Sequence, residues 1–500
     1  MSTITLPQIF QSGMVLQRHK PICVWGTAEG CDTVTVTFAG EIALAKVRGG
    51  HWKLFLPSME ATHGLTLTVE AMDVRVIYTD IAIGEVWIAS GQSNMEFLLK
   101  YDAEQAQAIR ESDADLRCFE VPKLSYVGQD KVEDHTHEGL WRKAVGTECL
   151  RFSAVGYYFG RKLRERLGVP VGIVSCNWGG ISASCMTARE NLTGDLAVYL
   201  DEADAVQRGM DEAIHLPLFQ QMQKEFQEVY IQRVPDMGVV IDAPIAPDAD
   251  TMTFMQKLMS YHLSAWSAFR PCGLYDTMLR TIAPYTVTGV IWYQGESDAA
   301  RAELYGRLFA AMVKSWRDLW HEELPFIQVQ LASYACMMEP IDFVPIRAVQ
   351  EQLTRDLPGV SLACAMDVGL PYDIHPKQKR PVGERLAYQA LGKVYGQYVL
   401  ADSPTLGYRT KTNGLVDLEF KHCGYALTLE GDLRDALELK VNGETVQEYT
   451  FTLERNHLRI HSDAITPEAS VNVRFAWKPY CTDPVYNSNG LPMLPFNTDV

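Results

Sequence analysis

EVWIASGQSNMEFLL, residues 85–99, is the stretch whose reading decides the fold. Glu85 to Ser90 form a short apolar run of strand length, and helical spacing begins near Met95. A buried-type strand handing over to a helix through a turn is the repeating unit of an α/β sheet. Such sheets bind ligands in the crevice beyond the strand carboxyl ends. Ser93 lies in that turn, with its hydroxyl exposed and its own N–H at a helix start, where a developing oxyanion is stabilised. Gly91 permits the tight turn. The pattern is not the GxSxG elbow, because position 95 is Met. On this segment alone, Ser93 or Asn94 serves equally well as a helix cap.

Working outward, the same alternation continues. VGYYFGRKLRERLG (155–168) and LYGRLFAAMVKSWRDLW (304–320) have helical spacing, while VGIVS (171–175), TGVIWYQ (288–294) and PFIQVQLA (325–332) read as short strands. Together they predict an α/β domain whose mainly parallel sheet is covered on both faces. Upstream, VTVTFAG (34–40) and LTLTVEAM (65–72) alternate apolar and polar residues, with Gly-rich turns such as RGGHW between runs. This predicts an antiparallel β domain over 1–81. The alternation returns in LEFKHCGYALTLEG (418–431), ALELKVNGETV (436–446) and VNVRFAW (471–477), with a hairpin turn at Asn442-Gly443. The expected domains are therefore 1–81, a catalytic domain over 82–400, and a second antiparallel β domain over 401–500. Residues 195–265, including EADAVQRGMDEA, FQQMQKEFQEVY and IDAPIAPDAD, break the pattern and read as an insertion or lid.

Composition excludes several function classes. Five hundred residues exceed what one core supports. The formal charge of -17 and the lack of a Lys/Arg-rich run exclude a phosphate-backbone binder, so no nucleic-acid partner is expected. No apolar stretch is long enough to span a bilayer, and the acidic balance disfavours anionic membranes. Eleven scattered cysteines without a CxxC pair read as thiols in a reducing compartment. MSTITLPQIFQSG lacks the features of a secretory leader. The expectation is a cytoplasmic chain, or a secreted or periplasmic one if a leader has been removed. The sequence leaves the oligomeric state open.

A base for Ser93 is found late in the chain. Residues 371–376 read Pro-Tyr-Asp-Ile-His-Pro. Pro376 biases His375 toward extended backbone, which puts the Asp373 and His375 side chains on one side. A carboxylate there can hold one imidazole nitrogen and leave the other for the serine. The helix predicted over 381–396, with Pro381 at its first position, anchors this loop. Asp367, after SLACAM (361–366), is a second possible orienter.

Oxyanion donors follow two other strands. Gly179 and Gly180, in Asn177-Trp178-Gly179-Gly180, let backbone N–H groups approach a ligand. Gln294, in Trp292-Tyr293-Gln294-Gly295-Glu296-Ser297-Asp298, carries a side-chain amide that can donate. Glu296 and Asp298 either orient neighbours or bind sugar hydroxyls. Trp178, Trp292 and Tyr293 are either a sugar platform or core. No HExxH or other dense ligand set is present, so neither metal nor cofactor is called for.

At these residues the chain resembles the sialate O-acetylesterase group of the SGNH hydrolases. The segments that carry the resemblance are MVLQRHKPICVWGTA (14–28), GEVWIASGQSNMEF (84–97), NWGGISAS (177–184), GLYDTMLRTIAPYTVTGVIWYQGESDA (273–299), LPFIQVQLA (324–332) and DIHPKQKRPVGERLA (373–387). The resemblance implies a flavodoxin-like parallel sheet sandwiched by helices, with β modules at both ends. It implies Ser93 as nucleophile and His375 as base, aided by Asp373. The implied oxyanion donors are the Ser93 N–H, Gly180 and Gln294, with Asn94, Trp178 and Glu296 as substrate contacts. The implied substrate is an acetylated sugar or oligosaccharide.

Three departures keep alternatives open. QGESD stands where the broader class has an Asn, so Ser297 competes with Gln294. Asp precedes His by two residues rather than three, so Asp367 or a backbone carbonyl competes with Asp373. Ile181-Ser182 stands where related sequences carry Thr. Rival readings are a xylan or plant-glycan acetyl esterase, a glycosidase using Glu296, and a non-catalytic sugar-binding protein. A sialate carboxylate calls for an Arg, and Arg189, Arg301 and Arg347 are available.

Overall fold

The strand expected over Glu85–Ser90 is the end of a much longer one, Val74–Gly91. It appears in a computed structural model that describes residues 2–230, 237–242, 248–335, 342–481 and 485–500. Burial along this strand changes character midway. From Val74 to Asp80, exposed and half-buried residues alternate. From Ala82 to Gly91, every residue is buried. The first half pairs antiparallel with Thr62–Ala71, which pairs with Thr33–Phe38 and, through it, with Glu41–Lys46. The second half pairs parallel with Val171–Asn177 and Gly289–Tyr293. One strand thus serves two sheets, and the shift from alternating to continuous apolar residues marks where one face stops meeting water.

The chain divides into two units. The first comprises Met1–Val239, Pro247–Gln294 and Arg307–Phe326. The second comprises Val240–Ala246, Gly295–Gly306 and Ile327–Val500. In the first, the strand order is Trp141–Ala144, Asp113–Glu120, Val171–Asn177, Val74–Gly91, Gly289–Tyr293, parallel apart from the first pair. Trp87 is in register with Gly289, so Trp292, three residues on, points to the opposite face. Trp87 meets Phe159 of the Ala154–Leu167 helix edge-on at 5.1 Å. Trp292 meets Trp316 of the Ala302–Trp320 helix at 6.2 Å. Helices therefore cover both faces, as the alternation predicted. The Ala154–Leu167 helix is capped by Ser153, whose Oγ accepts the Gly156 N–H at 3.1 Å, and it ends at Gly168.

In the second unit, Phe326–Gln330 neighbours Val360–Cys364. The Val344–Asp356 helix is pinned to the first of these strands by side-chain amides. Gln328 donates to the Gln350 carbonyl at 2.8 Å, and Gln330 to the Arg347 carbonyl at 3.1 Å. Beyond residue 400 lie two four-stranded antiparallel sheets and a two-stranded one. The Asn442-Gly443 turn is a two-residue hairpin loop with both φ angles positive, joining Leu437–Val441 to Glu444–Val446. The β core here is continuous with the α/β part of the unit, because Leu362, Cys364 and Met366 pack in one cluster with Val416, Leu439, Val473 and Phe496.

Residues 195–265 include three helices, Ala197–Gln207, Glu212–Glu225 and Ala249–Met259. Part of IDAPIAPDAD, residues 243–247, lies outside the described residues. No helix among the described residues is long and apolar enough to cross a membrane. No disulfide joins the ten described cysteines.

An ion pair ties the Arg380–Gln389 helix to the turn after Val360–Cys364. Arg385 grips Asp367 with two bonds of 2.6 and 2.7 Å and also donates to the Cys364 carbonyl. Both side chains are 8% exposed. Burial alone would pull the Arg385 pKa down, but the Asp367 carboxylate more than offsets it. Removing one partner of such a pair strands a buried charge. Arg385→Met should therefore cost about 3–5 kcal/mol. Arg385→Met with Asp367→Leu should recover most of that loss in denaturant titrations, and an additive loss would contradict this account.

Candidate active site

The residues singled out in the sequence divide between the two units. In the first, four adjacent parallel strands end side by side, and the chemistry collects beyond their carboxyl ends. The Val74–Gly91 strand leads through Gln92 into a helix of only four residues, Ser93–Glu96. The longer helix expected after Ser93 is absent, and a 3-10 turn, Leu99–Tyr101, follows. Any macrodipole is correspondingly small. What remains is local: N–H groups in a first turn have no intrahelical acceptor. Ser93 is half-buried and its hydroxyl makes no hydrogen bond among the described residues. Asn94, beside it, is 2% exposed.

The loop after Val171–Asn177 lies against this turn. Trp178 donates its backbone N–H to the Gly91 carbonyl at 3.2 Å. A β-carbon placed on Gly179 would stand 3.5 Å from Ser93 Cβ and 3.2 Å from Glu96 Oε2. One placed on exposed Gly180 would stand 3.3 Å from the Phe269 ring, which stacks on His262 at 4.5 Å. Gln294 is fully buried and donates its amide to the Ile181 carbonyl at 3.1 Å, so it tethers the glycine loop. Trp292 and Tyr293 are both fully buried. A sugar platform built on them is ruled out, because both faces of their strand are covered. Trp178, half-buried, is the aromatic left near Ser93.

The second unit holds His375, Asp373, Asp367 and Glu296. Extended backbone was expected to show the Asp373 and His375 side chains on one side. Instead the Asp373 carboxylate folds back, accepting the His375 backbone N–H on Oδ1 at 2.9 Å. This is the local turn that Asp side chains favour. Oδ2 accepts from Lys377 Nζ at 2.9 Å and from the Ile241 N–H at 3.4 Å. Asp373 therefore shapes the loop that carries the imidazole. Asp367 is engaged by Arg385 and by the Tyr486 hydroxyl at 3.0 Å. Glu296 is half-buried in the turn Glu296–Arg301, and Asp298 is buried in it.

His375 Nε2 is buried with no hydrogen-bond partner among the described residues. Burial pushes the imidazole pKa down to about 4, and Lys379 and Lys377 push the same way against Asp373. The ring is thus neutral at pH 7, the form a general base requires. The same shift acts on stability. Between the ordinary value of 6.5 and about 4, the unfolded chain binds this proton and the folded chain does not. Stability then falls with pH through that window, by about 3 kcal/mol in full. His375→Gln should lack this component. Denaturant midpoints at pH 7 and pH 4.5 for both proteins test it, and equal acid losses would refute it.

Of the three arginines, Arg347 is buried and donates to the Lys478 and Pro479 carbonyls. Burial lowers its pKa to about 10. Arg189 pairs with Asp204 at 3.1 Å, and Arg301 lies in the turn with Glu296. Sequence reasoning missed two residues beside Ser93, namely Glu96 and Lys123. Glu96 was detectable in principle, since i and i+3 share one face of a turn. Lys123 was not, because the strand before it, DADLRCFE, lacks a clean apolar run.

Known proteins resemble this chain at the level of family and fold. Residues 260–392 match the family model described as carbohydrate esterase, sialic acid-specific acetylesterase. That stretch includes Gln294 and His375. The sialate O-acetylesterase of Mus musculus is 25% identical over 451 residues, covering 81% of this chain and 77% of its own length. That of Rattus norvegicus is 27% identical, covering 77% and 72%. Among solved structures, a carbohydrate acetylesterase from Xanthomonas citri matches over the full length of both chains, with a TM-score of 0.76 and 28% identity. Over most of its length the chain is thus similar to sialate O-acetylesterases and to a carbohydrate acetylesterase of known structure.

Proposed function

We propose that this chain removes O-acetyl groups from a sugar through an acyl-enzyme on Ser93, with His375 as general base. Ser93 Oγ attacks the acetyl carbonyl while His375 takes its proton. The oxyanion forms against the Ser93 N–H and the glycine loop at Gly179–Gly180, which Gln294 holds in place. His375 returns the proton to the departing sugar alcohol, and water then releases acetate. Asp373 is a positioning residue, since it fixes the turn that presents the imidazole. Asn94, Trp178 and Glu296 are the substrate contacts. The scheme draws on no metal or cofactor.

The observation that carries this reading is the placement of Ser93. It combines a strand-end turn, a hydroxyl without a hydrogen bond among the described residues, and a glycine loop on which a β-carbon added at Gly179 would stand 3.5 Å from Ser93 Cβ. The family's name favours a sialate as substrate. A neutral, plant-glycan-type substrate is the second reading, favoured by the engagement of Arg347 with carbonyls and of Arg189 with Asp204. Acetate release from 9-O-acetyl sialic acid and from acetylated xylo-oligosaccharide separates the two. Release from neither, with cleavage of an aryl glycoside, would return the assignment to a glycosidase. Sugar binding without hydrolysis, and no fluorophosphonate labelling of Ser93, would return it to a binding module.

A further inference from the structure

Beside Ser93 lie two side chains, Glu96 and Lys123, that the acyl-transfer scheme does not use. Glu96 sits one turn after Ser93 and pairs through Oε1 with Lys123 Nζ. The lysine follows the Asp113–Glu120 strand, one strand beyond Val171–Asn177, and its ammonium stands 5.5 Å over the Trp178 ring. The second carboxylate oxygen, Oε2, receives no hydrogen bond among the described residues. The Trp178 indole N–H likewise finds no acceptor among them. Oε2 and Ser93 Cβ lie within 3.5 Å of one point, the place where Gly179 lacks a β-carbon. Glu96 Oε2, an open acceptor, therefore lies close to Ser93 Cβ beside Gly179, and the residue before that glycine, Trp178, carries an open donor and an aromatic surface.

We propose that Glu96, held by Lys123 and flanked by Trp178, binds a free hydroxyl of the sugar next to the carbon that carries the acetyl ester. The inference rests on Ser93 being the nucleophile. Its chemistry is specific. A carboxylate oxygen fixed by an ammonium is a strong acceptor for a hydroxyl, and an indole face suits the apolar C–H face of a sugar ring. Because Oε2 lies so close to Ser93 Cβ, the hydroxyl bound there belongs to a carbon adjoining the reacting ester. The favoured substrates are thus sugars with an acetyl ester beside an unmodified hydroxyl. Fully acetylated sugars are poor substrates, because they offer Glu96 no donor.

The test compares kcat/KM on a mono-acetylated sugar with kcat/KM on an aryl acetate, for the full chain and for Glu96→Gln. The sugar-to-aryl ratio should fall about 30-fold in the variant, the range for losing one hydrogen bond to a charged group. On a sugar acetate whose neighbouring hydroxyl is replaced by hydrogen, wild type and variant should have the same ratio. Trp178→Ala should lower the same ratio, which keeps the test decisive if Glu96→Gln folds poorly. An unchanged ratio in both variants, or equal losses on sugar and aryl acetates, overturns the inference. Failure of the underlying reading looks different, since wild type itself would then release no acetate or Ser93→Ala would stay active.

Discussion

Ser93→Ala should lower turnover of an aryl acetate by about 10⁴-fold or more while leaving the folded chain as stable as before. The two halves of this expectation have separate grounds. In the proposed scheme the hydroxyl forms the acyl-enzyme, and what survives its loss is transition-state binding by the donors around it. The same hydroxyl makes no hydrogen bond among the described residues, so its removal breaks no structural contact. The backbone bonds of the turn, such as Phe97 N–H to the Ser93 carbonyl at 2.8 Å, are untouched. Ser90, three residues earlier, offers the contrast, being buried with its hydroxyl bonded to the Cys176 carbonyl. A polar group in a stable fold that is dispensable for folding and indispensable for turnover has no structural explanation. Unchanged turnover in Ser93→Ala would remove Ser93 from the mechanism altogether.

The second large effect is expected at Gly91. Its φ is +136°, a region that residues with a side chain rarely adopt. An added β-carbon would lie 2.1 Å from the Tyr293 carbonyl oxygen and 2.6 Å from its carbon. Neither backbone atom can rotate away, because the adjacent strands are in register from Trp87↔Gly289 to Gly91↔Tyr293. Backbone strain and forced separation of the strands should together cost on the order of 3 kcal/mol or more. The separation acts directly on the turn that presents Ser93, so Gly91→Ala should lose most of its turnover even at temperatures where it remains folded. Gly40→Ala is the control. Gly40 also has a positive φ, +87°, but nothing lies within 4 Å of the added carbon. It should show only the conformational cost, roughly 1 kcal/mol. Similar denaturant midpoints for the two variants would show that the contact with Tyr293 does not matter.

The contrast between these positions shows what was legible in the sequence. Strands with near-continuous apolar runs, such as VGIVS and TGVIW, were visible because both faces are buried and no polar residue interrupts them. The Ala154–Leu167 helix was visible from its spacing and its terminal Gly168. Asp113–Glu120 was not, since charged residues at its start hide the buried half. At the site, Ser93, Gly180 and Gln294 were singled out from turn chemistry after strands, whereas it is Gly179 whose added β-carbon would stand 3.5 Å from Ser93 Cβ, and the Gly180 position faces Phe269. The role of Asp373 was harder to read. Residue spacing gives the direction of an extended side chain, but not whether a carboxylate prefers a nearby backbone N–H to an imidazole. Trp292 and Tyr293 illustrate the reverse error. Aromatic residues near a site suggest sugar stacking, yet only the register of Gly289–Tyr293 against Val74–Gly91 reveals that both are enclosed.

The Val74–Gly91 strand has a consequence for how such proteins can be rearranged. Recombination usually exchanges modules at flexible linkers, where a cut costs few contacts. Here the seam between the amino-terminal β sheet and the hydrolytic core runs through the middle of one continuous ribbon. A crossover near residue 82 would have to supply a new strand half in matching register, or both sheets would lose their shared member. The β module is thus inherited together with the core, as an extension of its central strand rather than an appendage.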